Sequence, residues 1–449
     1  MHSGYQEEAD MSLEILGLVL VGCLFVVILA GFPISFTLIF LALGFGYIGL
    51  GNKVFYLITY QFFETMMEPV LAAVALFTFM GLVLEGAGLM DRLFKALQLL
   101  SGRLKGSLFL ATIVTATLFA AATGIVGASV PILGLMAGPA MRRSGYNESL
   151  CAGTITAGGT LGILIPPSIM LVVMGPTMEV SIARLYAAAI LPGLLLASIY
   201  IAYTMIRTYL NPSFGPPLSD KELDVPLSKK LFEFLVGLVP VASLILATLG
   251  SILSGFATPT EGAAVGCLGA IVVALAHRRL NFQILKNAVY RTVVTTSMVM
   301  ILLAASTTVG AVFSAFGTPK FLADTLLSFD LPAGVFVIGI LVACFILGWP
   351  LEWIPIVVVI IPIFMPIIMG LKVDRIWFAI LVAVTLQSCW LSPPVALSAY
   401  YLKGVIPEWD LKLIYKGMIP FLFLQLICVL LLYLFPQISL WLPNLLFGR

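Results

Sequence analysis

Histidine is nearly absent from this 449-residue chain. Only His2 and His277 occur, too few imidazoles for a histidine-held zinc or haem site. Charge is scarce as well: Asp, Glu, Lys and Arg make up 10% of the residues against 61% hydrophobic types, and the mean hydropathy is +1.14. That balance excludes the soluble classes and indicates an all-α polytopic membrane protein in a lipid bilayer. The six cysteines, Cys23, Cys151, Cys267, Cys344, Cys389 and Cys428, stand singly inside apolar runs, so neither a disulfide framework nor a metal cluster is indicated. There is no HExxH segment, paired-aspartate motif or Ser/His pair in the apolar runs, which argues against an enzyme and leaves no cofactor to expect. A carbonyl-ring filter motif is also lacking, which argues against a channel. The net charge of +2 gives no reason to expect a nucleic-acid partner. No cleavable signal peptide is evident, because the start MHSGYQEEAD is acidic; residues 1–12 read as an extension that includes an alternative start at Met11.

What is present is apolar sequence in span-length pieces. At about 20 residues per crossing, spans are predicted near 13–31, 33–50, 66–84, 148–177, 185–207, 234–255, 258–276, 292–316, 374–402 and 417–443. Residues 107–141 form a longer apolar stretch between Arg103/Lys105 and Arg142/Arg143. A single helix of that length would far exceed a bilayer core about 30 Å thick, and both ends are basic, so a re-entrant hairpin turning near Thr123-Gly124 is predicted. Residues 331–371 form a second such stretch, turning near Gly348 to Glu352. With the N-terminus outside, 17 of the 23 Lys and Arg fall on the cytoplasmic side, which favours this topology and places the C-terminus outside too.

Two proline pairs fall inside apolar runs, in GILIPPS (162–168) and CWLSPPV (389–395). Pro139 precedes Pro166 by 27 residues, Pro366 precedes Pro393 by the same 27, and the two sets lie 227 apart. GLVLEGAG (81–88) lies over GAVFSAFG (310–317) at an offset of 229. A duplicated unit follows, with first repeat 13–207 (hairpin 107–141, broken helix 148–177), a cytoplasmic connecting arm 208–233 that reads as amphipathic, and second repeat 234–449 (hairpin 331–371, broken helix 374–402). Each repeat has three spans, a hairpin, a broken span and a closing span. Five full crossings is odd, so the repeats are inverted. Inverted repeats with discontinuous helices are an architecture of secondary transporters, where unwound backbone supplies ligands to ions and anions. Proton coupling and sodium coupling both remain open at this point.

The segments GTITAGGTLGILIPPSIMLVVMG (153–175), ATPTEGAA (257–264), LGWPLEW (347–353) and LQSCWLSPPVALSAYYLKGV (386–405) resemble the large membrane subunit (DctM, or M subunit) of tripartite ATP-independent periplasmic (TRAP) transporters, in order and over nearly the whole chain from Met11. The resemblance implies a sodium-coupled elevator importer of a small organic acid, carboxylate or sulfonate, in a bacterial inner membrane with both termini periplasmic. It also implies a small (Q type) membrane subunit and a periplasmic (P type) substrate-binding protein as partners, and Na+ as coupling ion. A first sodium site is then expected at Thr123, Gly124, Gly127, Ser129, Thr160, Gly162 and Pro166, and a second at Gly348, Trp349, Glu352, Gln387, Ser388, Ser392 and Pro393. Substrate is expected at Thr123, Ser129, Pro167, Ser168, Ser392 and Pro394. The first tip departs from the family's Ser-Gly-Ser pattern, offering Thr123 and Ser129 in ATGIVGAS.

Four acids sit within or at the ends of apolar segments: Glu68, Glu85, Glu261 and Glu352. A carboxylate in the membrane is costly unless paired or facing water. Glu352 is expected at the second tip, as a functional group or as a cap of the following half-helix. Glu261 is expected to cap its helix, and Glu68 and Glu85 to mark span ends. Trp349, Trp353 and Trp390 are expected to cluster at the second tip, and Trp377, Trp409 and Trp441 to anchor at the interface. No Lys or Arg lies in the middle of a predicted span, so sodium, helix dipoles and hydroxyls are expected to neutralise an anionic substrate.

Overall fold

The computed structural model describes residues 2–124, 126–219, 224–329, 331–393 and 395–448, with side chains from Leu13 onward except at Ala122 and Thr123. These residues form helices and turns, with no strand among them. Seven of the described helices are long and apolar enough to cross a membrane, and shorter apolar helices lie between them. The chain is a multi-pass membrane protein.

The first half contains α1 (His2–Leu29), α2 (Ile34–Leu50), α3 (Lys53–Met66), α4 (Pro69–Gly86) and α5 (Leu89–Ser101), then α6 (Ser107–Thr123), α7 (Val126–Arg143), α8 (Glu148–Thr160), α9 (Ile169–Thr177) and α10 (Ile182–Leu210). The second contains α11 (Leu227–Leu253), α12 (Pro259–Ala276), α13 (Phe282–Ala315) and α14 (Thr318–Leu327), then α15 (Ala333–Leu347), α16 (Trp353–Gly370), α17 (Arg375–Leu391), α18 (Leu397–Val405), α19 (Leu411–Leu434) and α20 (Gln437–Phe447). Helices α1–α5 pack with α11–α14, and α6–α10 pack with α15–α20. The two groups meet along α4, α5, α11, α13 and α14. Six residues lead from Ser101 to Ser107 and six from Leu327 to Ala333, the links between the groups within each half.

Several boundaries differ from the sequence-based expectations. α1 is continuous from His2, so the extension and the first span share one helix. The third span begins at Pro69 rather than 66, and the segment before it is a helix in its own right, α3, with a break at Met67-Glu68. No span is predicted over α3, because Gln61 and Glu64 interrupt its apolar residues and 14 residues fall short of a crossing. α13 runs 34 residues, about 51 Å at 1.5 Å per residue, starting ten residues before the predicted span. Its polar first turns, FQILKNAVYR, hid that extension. The closing span 417–443 is two helices: Phe435 leaves helical geometry (φ −124, ψ 74) before Pro436, as the residue ahead of a proline tends to do.

Residues 211–218 of the connecting arm form no α-helix. Proline-rich NPSFGPPL has few backbone donors to sustain one. Instead the chain runs along the base of the first hairpin, where Gly106 N donates to Gly215 O (2.8 Å), Leu218 N to Gly102 O (2.9 Å) and Asn147 N to Phe214 O (3.0 Å). At the opposite side of the molecule, Thr258 and Glu261 form a capping box at the start of α12, with Thr258 N donating to the Glu261 carboxylate at 2.8 Å.

Candidate functional site at the hairpin tips

Both proline pairs interrupt helices. α8 begins at Asn147, whose side chain accepts from Leu150 N (3.0 Å), and gives way after Thr160 to a 3-10 turn at Leu161–Ile163. The chain then stays non-helical to Ser168, with a cis Pro166-Pro167 bond. Hydroxyls take up carbonyls the helix no longer uses: Thr160 donates to Ala157 O (2.8 Å) and Ser168 to Ile163 O. In the second half α17 kinks at Gln387 and ends at Leu391, and Ser392 turns extended (φ −88, ψ 119). Gln425, buried on α19, donates Nε2 to Val384 O (2.6 Å) and Thr385 O (3.4 Å), and Ser398 donates to Trp390 O.

Each hairpin tip is seated on the break of its own half. Gly124 has φ +63, and a Cβ there would stand 2.9 Å from Pro167 O. At the second tip, a Cβ on Gly348 would stand 2.6 Å from Cys389 Sγ. The tips also cross: a Cβ on Gly127 would lie 3.5 Å from the hydroxyl of Tyr401 on α18.

A cavity of about 310 Å³ opens where these parts converge. One wall carries Gly124, Gly127, Glu352, Trp353, Trp390 and Tyr401 from the tips and breaks; the other carries Leu82 of α4 and Arg291, Thr295 and Met298 of α13. Trp390 and Tyr401 stack with ring centroids 6.2 Å apart. Glu352 precedes α16 in extended geometry, yet its side chain caps nothing, and no base among the described residues is within ion-pair reach.

Of the sodium and substrate candidates named from sequence, Gly124, Gly127 and Glu352 line this cavity. Ser129, Thr160, Gly162, Pro166, Pro167, Ser168, Gly348, Gln387, Ser388 and Ser392 are buried, Pro393 is half-buried, and none of them is part of the cavity lining. The Thr123 side chain and Pro394 lie outside the described residues. Around the second break, Gln387 Nε2 and Oε1, Ser388 Oγ, Trp390 Nε1 and Ser392 Oγ are buried with no hydrogen-bond partner. Buried polar groups are nearly always satisfied, so this cluster is exceptional. Among the described residues no group of three or more His, Cys, Asp or Glu could hold a metal ion.

The structure adds to some single-residue expectations and corrects others. Arg291, just outside the predicted span 292–316, lies ten residues into α13 on the cavity wall, paired through Nη1 with Glu85 Oε1 at 2.7 Å. Glu85 thus does more than mark a span end. Glu68 sits at the α3–α4 break and lines a second cavity of about 540 Å³ with Gln61, Glu64 and Thr65. Trp349 packs edge-on to Phe345 away from the first cavity, and Trp409 is buried rather than anchored at an interface. Tyr401 was missed: it lies on the half-helix after the second break, and no periodicity singles it out.

The family model for the tripartite ATP-independent periplasmic transporter, DctM component, matches residues 21–438. The chain belongs to the DctM family. It is 30% identical over 387 residues to the C4-dicarboxylate TRAP transporter large permease protein DctM of Pseudomonas aeruginosa, covering 86% of this chain and 88% of that one. To the sialic acid TRAP transporter large permease protein SiaM of Vibrio cholerae it is 29% identical, covering 93% and 96%. It is also 29% identical to the isethionate TRAP transporter permease protein DctMQ of Oleidesulfovibrio alaskensis, covering 82% of this chain and 57% of the relative. These relatives are transport permeases and not enzymes. Among solved structures, the YdaH transporter of Alcanivorax borkumensis shares the fold at TM-score 0.61 and 18% identity, covering 86% of this chain and 88% of that one.

Proposed function

We propose that this DctM-family permease is the translocating subunit of a sodium-coupled importer of a small organic acid in a bacterial inner membrane, with both termini periplasmic. It receives substrate from a periplasmic binding protein and works beside a small membrane subunit, the two further components that membership of the family implies. The named relatives act on C4-dicarboxylates, sialic acid and isethionate, all organic acids. The observation that carries sodium coupling is the cluster of buried, unpartnered oxygens at the second break, Gln387 Oε1, Ser388 Oγ and Ser392 Oγ, which would suit a hard monovalent cation. The two breaks and two tips facing one cavity fit a substrate site at the repeat interface.

The repeats are inverted on this reading. Lys53 and Gly86 precede Phe282 and Ala315 by 229 each, so α3 and α4 together correspond to α13, and helix pairs with matching hairpins and breaks follow in both halves. The moving body of an elevator would be α6–α10 with α15–α20, sliding against α4, α5, α11, α13 and α14.

Thermal stability of the purified chain in sodium chloride, against potassium and choline chloride at equal ionic strength, tests the ion. At 100 times its dissociation constant sodium adds about 2.7 kcal/mol. Ser392→Phe and Ser129→Phe should abolish that gain. Equal stability in all three salts would refute sodium coupling. Proton coupling is the second reading, favoured by the unpaired carboxylate of Glu352 on the cavity wall; in that case Glu352→Gln removes the pH dependence of uptake.

A further inference from the structure

α13 turns one face to the cavity, since Arg291, Val294, Thr295, Met298 and Val299 recur at helical spacing. Arg291 is the one base among the cavity-lining residues. Its Nη1 donates to Glu85 Oε1 at 2.7 Å, and no other hydrogen bond from this guanidinium is made to the described residues. The side chain is 47% exposed. A guanidinium has five donors in a planar fork that matches a carboxylate or sulfonate edge. Held by one nitrogen, Arg291 keeps that fork open toward the cavity. Glu352, which lines the same cavity as Arg291 and Tyr401, presents a carboxyl group with no ionic partner among the described residues.

We propose that Arg291 is the anion-binding group of this cavity, taking the carboxylate or sulfonate of the substrate on its free edge while Glu85 holds the guanidinium in place, and that Glu352 receives a hydroxyl or ammonium at the substrate's other end. The proposal rests on the reading of this cavity as the substrate site. The substrate class is a hydroxylated or aminated organic monoanion. In either protonation state Glu352 offers an acceptor oxygen to such a donor, whereas a dicarboxylate would set its second carboxylate against it. The neutralising charge thus comes from α4 and α13, on the wall opposite the tips, so a substrate carried with the tips leaves its counter-charge behind when it moves.

The test is thermal stabilisation of the full purified chain in sodium chloride by glycerate, gluconate and isethionate, compared with succinate and malonate. The hydroxylated monoanions are expected to reach half-maximal effect at concentrations at least tenfold below the dianions. Arg291→Gln should raise those concentrations at least tenfold and Arg291→Lys should recover part of the loss, with elution on size exclusion reporting that both variants fold. Glu352→Gln should narrow the gap between the two groups of anions. Sodium stabilisation of the wild type without any organic anion reads the coupling ion alone, so its failure is told apart from failure here. An Arg291→Gln chain that binds glycerate as the wild type does, a wild type that prefers succinate, or one that no anion of the panel stabilises would overturn the proposal.

Discussion

Replacing Gly124 by alanine asks how closely the first hairpin tip is seated on the first break. Two costs act at this position. The residue sits at φ +63, where an L side chain costs roughly 1–2 kcal/mol, and its Cβ would stand 2.9 Å from Pro167 O. That oxygen is backbone and cannot rotate away, so overpacking adds about 1–3 kcal/mol. Gly145 is the matched control: its φ is +68 and a Cβ there meets nothing within 4 Å. Gly145→Ala should therefore cost roughly 1–2 kcal/mol from backbone strain alone, and Gly124→Ala about 2–5 kcal/mol from both terms. Denaturant unfolding of the two variants side by side in one detergent reads the difference. Equal destabilisation would refute the seating of the tip on Pro167, because strain is common to both and only the contact differs.

Gly417→Ala should destabilise more than a typical helix substitution, since its Cβ would lie 1.9 Å from Ser149 O and 2.9 Å from Gly153 N, forcing α8 and α19 apart. A loss of about 3 kcal/mol or more is expected, and unchanged unfolding would show that the helices are not in backbone contact. Gln425→Leu removes the donor to Val384 O and Thr385 O while keeping bulk. It should cost about 1–3 kcal/mol and increase hydrogen exchange at the Gln387 kink, whereas unaltered exchange there would show that the amide does not hold the kink.

The breaks and hairpins were legible because each leaves a mark that no other structure explains: adjacent prolines within an apolar run, and a stretch of 35 residues with both ends basic. α3 and the first turns of α13 were not, because Gln61 and Glu64 in the one and Gln283, Lys286, Asn287 and Arg291 in the other interrupt the apolar residues. The 229-residue offset between GLVLEGAG and GAVFSAFG held the missing signal, since extending it back to Lys53 and Phe282 pairs α3 with the start of α13. Arg291 was misplaced for the same reason. Hydropathy sees a charge and ends the span, while the ion pair with Glu85 that lets the charge stay is a contact 206 residues apart in sequence. In the candidate site, Gln387, Ser388 and Ser392 could be picked out by the proline pair beside them, but Tyr401 reaches the cavity only through the angle at which α18 leaves the break.

The two short links between the helix groups act as leashes. Ser101 to Ser107 and Leu327 to Ala333 are six residues each, so fully drawn out neither exceeds roughly 20–22 Å. The first is already shortened by turns, with Leu104 N bonded to Ser101 O and Ser107 N to Leu104 O. On the elevator reading, chain length limits how far the groups can part: an end-to-end separation beyond that limit would have to unwind the end of α5 or the start of α6.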